Sequence, residues 1–281
     1  MQNRGFANVA FALLVVCGAA RPASAQIDLS GIWAPIMHED SVERAAGPDL
    51  GDYLGLPINE AGRQRGETWN ADILTMEEHN CKPHPATYGF RGVGNLRITS
   101  TYDPVTFDVT KVDAHIQWME QLREIWMDGR PRPPDFAPHT WQGFSIGRWE
   151  GSVLVVETTH LKAGFMRRNG LALSDRVRMT ERFIRHGDLM THVAIIEDPI
   201  YLSEPLVKTS GFRLTTGVNI QPYPCQPAVE IERPPGDVPH YLPGQNPYAA
   251  EFAQKHKLPL EATRGGAATA LPEFARTLER K

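Results

Sequence analysis

Four side chains in the middle of this sequence have the types and settings for acid–base chemistry: His139, Arg148, Glu157 and Glu181. Strand alternation decides what each one faces. In Arg176–His186, Val177, Met179, Glu181 and Phe183 share one face, and Arg176, Arg178, Thr180 and Arg182 share the other. Glu181 therefore sits on the apolar side, where a carboxylate must find a partner or its pKa rises. The same parity sets Glu157 beside Val153 and Val155, and Glu124 beside Leu122 and Trp126. Arg148 shares a face with Phe144 and Ile146. A guanidinium among apolar residues calls for a carboxylate, or for an anionic or phenolate oxygen on a ligand. A salt bridge from Arg148 to Glu157 or Glu181 is the structural alternative. His139 lies in the loop before Trp141, at a strand entrance where functional loops collect. A neutral imidazole there has the chemistry of a general base. An ordinary surface histidine is the plain alternative. His160 follows the run Val155–Thr159 and could face the same mouth. With Trp118, Trp126 and Trp141 it completes a set of candidate binding residues, since ligand cavities combine aromatic walls with few polar groups.

Other motifs narrow the field. Gly143–Gly147 has the spacing of a nucleophile elbow around Ser145, but the following residues continue as a strand and no helix follows. Ser145 reads as a strand residue. His79 and His84 flank Cys81, yet ligand number and spacing do not converge on a closed set, so no metal is expected. No Walker loop, dinucleotide fingerprint, zinc-protease helix or EF-hand loop is present.

The elements that must position these residues are strands. Short runs with period-two alternation extend from Asn95 to Leu214, broken by Asp103-Pro104, Asp128-Gly129, Glu150-Gly151, His186-Gly187-Asp188 and Asp198-Pro199. The strands expected are 96–101, 105–109, 114–120, 122–127, 141–149, 152–159, 176–186, 189–197 and 206–214. In 114–120, Trp118 and Glu120 would lie with Ile116. Strands without intervening helices predict an all-β fold, an antiparallel meander closed into a lipocalin-like barrel, with a two-sheet sandwich as the alternative. Asp28–Trp33 is a further strand, Asn59–Trp69 a short helix capped by Asn59, and Pro247–Lys257 a second helix. The tail from Gly265 is an arm that wraps the body or a partner, or a loose end.

Residues 1–25 have the build of a signal peptide: Arg4, an apolar run Phe6–Ala20, then Ala23-Ser24-Ala25 before Gln26. No later segment is apolar for long enough to span a bilayer. The chain divides into 1–25, a loop-rich extension 26–94, a barrel core 95–225 and a C-terminal extension 226–281. Loss of Arg4 and Arg21 makes the exported chain more acidic than the net −4 of the whole, which argues against nucleic acid as a partner. Only Cys81 and Cys225 then remain. In an oxidising compartment they suggest one disulfide, whose long loop would stabilise by about 4–5 kcal/mol on chain-entropy grounds. Two free buried thiols are the alternative.

At Asp28–Trp33, Asp128-Gly129-Arg130, Gly143–Gly151, Glu181-Arg182-Phe183 and Asp198-Pro199 the sequence resembles a family of uncharacterised exported bacterial β-barrel proteins, frequent in sphingomonad-like bacteria. The resemblance runs over most of the exported chain and carries no established catalytic residues. It implies a periplasmic or secreted protein. Some proteins similar in export and setting act on lignin-derived aromatics. One such activity is a cofactor-independent lyase that removes the γ-carbon of a phenylcoumaran as formaldehyde. For a reaction of that kind, His139 or Glu181 would take a phenol or alcohol proton, Arg148 would hold the oxyanion, and Glu157 would return a proton to carbon. No cofactor is expected; the partner is a small aromatic substrate, and a homodimer is left open. A binding protein using the same cavity and a structural or assembly protein are the competing readings.

Overall fold

The computed structural model describes residues 27–36, 49–79, 81–90, 94–166, 169–224 and 231–278. The expected signal peptide, 1–25, and Cys225 lie outside the described residues. Cys81 is disulfide-bonded.

The strands are β1 (Gly31–Ile36), β2 (Leu96–Tyr102), β3 (Val109–Ile116), β4 (Gln121–Trp126), β5 (Phe144–Glu150), β6 (Val153–Thr159), β7 (Gly164–Phe165), β8 (Ala172–Leu173), β9 (Arg178–His186), β10 (Leu189–Glu197) and β11 (Leu206–Thr215). All but β7 and β8 join one closed barrel in the order β1-β11-β10-β9-β6-β5-β4-β3-β2. The protein is an all-β barrel. Closure matters because an open sheet would leave a row of unpaired backbone groups at each edge. β1, from the N-terminal extension, closes the seam: it pairs with β11 from Ile32 to Ile36 and with β2 from Gly31 to Trp33. β7 and β8 form a separate two-stranded ribbon between β6 and β9.

Two local expectations are corrected. The segment 105–120 holds one strand, β3, rather than two. Asp103 Oδ1 accepts the backbone N–H groups of Val105 and Thr106, and Phe107 adopts φ 60°, so 103–108 is a turn. At the other end, Met119 (φ 59°) and Glu120 (φ 48°) break the strand, so Trp118 and Glu120 leave the parity of Ile116. The second correction concerns Asp128-Gly129. It does not close a hairpin, because β4 and β5 are parallel at Ile125↔Ser145 and Trp126↔Ile146. Parallel neighbours need a crossover. Here that crossover is the proline-rich segment Arg130–Gly143, which reaches Glu157 on the outside of β6 through Arg132.

The hairpin β5–β6 pairs from Phe144↔Thr159 to Glu150↔Val153, with Gly151 (φ 60°) in the left-handed conformation the turn requires. Two apolar clusters form the core. One holds Trp33, Phe90, Leu96, Ile98, Ile125, Leu154, Phe183 and Phe212. The other holds Tyr53, Ile58, Leu161, Leu173, Met179, Ile196 and Leu202, where the segment 53–58 packs against the strand ends. The helix Glu60–Glu67 begins at Asn59, whose side chain accepts the Gly62 N–H at 2.9 Å. The C-terminal segment docks on this region. Gly266 N donates to Leu56 O at 2.7 Å, Gly55 N donates to Thr269 Oγ1 at 2.8 Å, and Ala262 and Thr263 are buried. It wraps the body at least as far as Thr269. Among the described residues no helix is long and apolar enough to cross a membrane.

Candidate functional site

The sequence candidates fall into three separate places. Glu181 is inside the barrel and fully buried. Opposite it is Arg123, 1 % exposed, from the inward face of β4 (Gln121, Arg123, Ile125). The guanidinium grips the carboxylate with two hydrogen bonds, Nη1 to Oε1 at 2.7 Å and Nη2 to Oε2. Its Nε and Nη2 also donate to Ser145 Oγ, and Nη2 donates to Thr158 Oγ1. His192 Nε2 lies 2.9 Å from Glu181 Oε1. Burial alone would push the Glu181 carboxyl up. The Arg123 charge and these hydrogen bonds outweigh it and hold the group down at about 2. An ionised carboxylate only accepts, so His192 Nε2 carries the proton in this contact. The rings of Phe90 and Phe183 pack on His192 at 4.6 and 4.8 Å. This polar layer is satisfied by its own members and sealed by aromatic rings. Ser145, 1 % exposed, is part of it, bonded to Thr158 Oγ1 at 2.9 Å.

Arg148 and Glu157 are on the outer surface. The parity grouping of each is as expected, but that face is the outside: Ser145 and Gly147 point inward from β5, and Leu154, Val156 and Thr158 from β6. Arg148 Nη1 donates to Glu157 Oε1 at 2.7 Å, and Arg148 Nη2 to Glu150 Oε1 at 2.9 Å. Arg132 holds the other Glu157 oxygen. Glu124 is likewise outside, paired with Lys111. Of the tryptophans, Trp118 packs on Tyr223 at 5.2 Å, Trp126 is covered by the Arg130 guanidinium at 3.4 Å, and Trp141 carries the Lys82 ammonium at 4.4 Å. The three do not meet around a common cavity. His115 reaches Glu120 at 2.8 Å.

His139 and His160 come together, their ring centroids 5.2 Å apart, in an open cleft of about 680 Å³ at one end of the barrel. Four segments far apart in sequence build it. The crossover gives Arg132, Pro133, Asp135 and His139; the end of β6 gives Thr159 and His160; the run into β9 gives Asp175–Arg178; and the β10–β11 connection gives Glu197–Pro199 and Leu202–Pro205. That last connection is fixed by Asp198. Its carboxylate accepts Ser174 N at 2.6 Å, Ser174 Oγ at 2.8 Å and Ile200 N at 2.9 Å.

The two imidazoles have different freedom. His160, at φ 58°, is held at both nitrogens, with Nε2 3.0 Å from Pro134 O and Nδ1 2.8 Å from Thr159 Oγ1. A carbonyl only accepts, so Nε2 carries the hydrogen and the ring clips the crossover to the barrel. His139 Nδ1 lies 2.9 Å from Leu161 O, so its proton is on Nδ1. The neutral ring then presents an unprotonated Nε2, the arrangement a general base requires. Strand parity could not find this cleft, since no spacing relates its segments. Arg123 is the inward residue that sequence reasoning missed. The signal was there in Glu181, whose burial demanded a cation on a facing inward position.

Among the described residues, no group of three or more His, Cys, Asp or Glu is arranged to hold a metal ion. The chain matches no family model, no curated protein and no solved structure.

Proposed function

We propose that this protein is an exported acid–base enzyme, a cofactor-independent lyase acting on an aromatic small molecule at the rim cleft rather than inside the barrel. The observation that carries the reading is the hydrogen bond from His139 Nδ1 to Leu161 O, which makes Nε2 the proton-accepting nitrogen of the neutral ring on a residue that lines the cleft. Val177, Leu202 and the prolines Pro133, Pro199 and Pro205 offer apolar walls for a ring. Asp135, Asp175, Glu197 and Glu204 are carboxylates of the same cleft that can accept hydrogen bonds from hydroxyl groups of a substrate. His160 is a positioning residue, because it ties Pro134 and so the segment that carries His139.

The resemblance to exported proteins that act on lignin-derived aromatics gives the reaction its concrete form. His139 would take the γ-hydroxyl proton of a phenylcoumaran. The Cβ–Cγ bond would break to release formaldehyde, its electron pair would form the Cα–Cβ double bond and expel the furan-ring oxygen as a phenolate, and the imidazolium would return the proton to that oxygen. Glu181, Arg148 and Glu157 have no part in it, because each is already committed to an ion pair away from His139. The test is incubation of the purified exported chain with a panel of lignin-derived dimers, read by mass spectrometry and formaldehyde detection. Release of formaldehyde is expected from at least one dimer. Tight binding of a dimer with no turnover would replace the enzyme with a carrier.

A further inference from the structure

The cleft has a charge pattern that the acid–base reading does not use. Four arginines of the crossover and of the neighbouring strands β5 and β9 are neutralised: Arg130 by Asp128, Arg132 and Arg148 by Glu157, Arg182 by Glu150. Arg176 and Arg178 are the contrast. Both line the cleft, both are exposed, and among the described residues neither side chain makes an ion pair. Even Glu197, the cross-strand register partner of Arg178, makes none with it. Arg176 lies in the turn closed by the hydrogen bond from Val177 N to Ser174 O, Arg178 opens β9, and both residues border the same cleft. Two forks of N–H donors on one cleft, neither with an ion-pair partner among the described residues, suit a carboxylate, which accepts paired hydrogen bonds in its own plane.

The rest of the cleft is acidic or basic in the other sense. Asp135, Asp175 and Glu204 also lack ion-pair partners among the described residues, and His139 Nε2 accepts. Those groups repel a bare anion but receive hydrogen bonds from hydroxyl donors. A ligand that satisfies both parts has an anionic end and a hydroxyl end.

We propose that the substrate is a hydroxylated aromatic carboxylate, with its carboxylate held by Arg176 and Arg178 and the hydroxyl that loses its proton directed to His139. This rests on the acid–base reading of the same cleft and adds the substrate class to it. The arginines are anchoring residues with no part in the bond-breaking step.

The experiment is calorimetric titration of the folded exported chain with 4-hydroxybenzoate and with 4-hydroxybenzamide, which keeps the ring and hydroxyl and removes the charge. The expected result is binding of the acid at least about tenfold tighter than the amide, the scale of one lost charge-assisted pair. In Arg176→Gln/Arg178→Gln, two exposed positions where folding is not at stake, affinity for the acid falls to that of the amide. High salt weakens binding of the acid only. Equal affinity for the two probes, no binding of either, or an unchanged double variant overturns the inference. His139-dependent turnover of uncharged dimers with no preference for their acids also overturns it, while leaving the enzyme reading standing. Preferred binding of the acid without turnover of any dimer keeps the anchor and removes the enzyme.

Discussion

The Arg123 guanidinium and the Glu181 carboxylate meet edge to edge inside the barrel, neither side chain more than 1 % exposed. This contact joins β4 to β9 across the interior. It explains how a barrel interior with a buried acid remains folded: the charge is matched, and the spare donors of the guanidinium are absorbed by Ser145 and Thr158.

Breaking this contact on one side leaves an uncompensated buried charge. Arg123→Met and Glu181→Leu should each lower stability by roughly 3–5 kcal/mol, while the double substitution should recover part of that loss. Urea unfolding of the three variants checks it. Additive losses in the double variant would mean that the two groups do not act as a pair.

The same carboxylate gives stability an acid limit. The Glu181 pKa is about 2 in the folded protein against an ordinary 4.5. Between those values the unfolded chain takes up a proton that the folded chain does not, so stability falls as pH falls. The contribution is fully present above pH 4.5 and is lost as pH drops towards 2. Unfolding free energies of wild type and Glu181→Gln, measured across this range, should show a shallower acid slope in the variant. Identical slopes would count against the pairing.

Ser145 has the sequence setting of a nucleophile and the structural setting of a bracket. Ser145→Ala should remove hydrogen bonds to Arg123 and Thr158 and lower stability by about 1–3 kcal/mol, with turnover intact. A fluorophosphonate probe should leave Ser145 unlabelled. Loss of activity in a fully folded Ser145→Ala protein would reopen the hydrolase reading.

The sequence showed the all-β barrel, most of its strands and the inward position of Glu181, because alternation is a local signal. It misled where alternation was ambiguous. In β5, Phe144 and Ile146 look more like core than Ser145 and Gly147 do, yet the smaller pair faces inward. Gly147 shows why: an added Cβ there would come within 2.4 Å of Met127 Sδ and 2.8 Å of Ile125 Cγ2. The interior needs its smallest residues where β4 and β5 approach. In β6 both faces carry valines, so parity grouped Glu157 correctly and could not say which group was inside. The parallel β4–β5 junction was hidden because Asp128-Gly129 marks a change of direction, not its destination. His139 and His160 were legible as loop residues at strand ends. Their meeting depends on a crossover route that local spacing does not encode.

The central claim is that His139 takes the substrate proton through Nε2. It is tested most directly by kcat for His139→Gln on whichever dimer the wild type turns over. The glutamine keeps a hydrogen-bonding side chain but cannot act as a base at neutral pH. The expected result is a fall of about 10²–10⁴-fold in kcat with unchanged stability, the usual contribution of a general base. A folded His139→Gln enzyme that turns over at the wild-type rate would contradict the account.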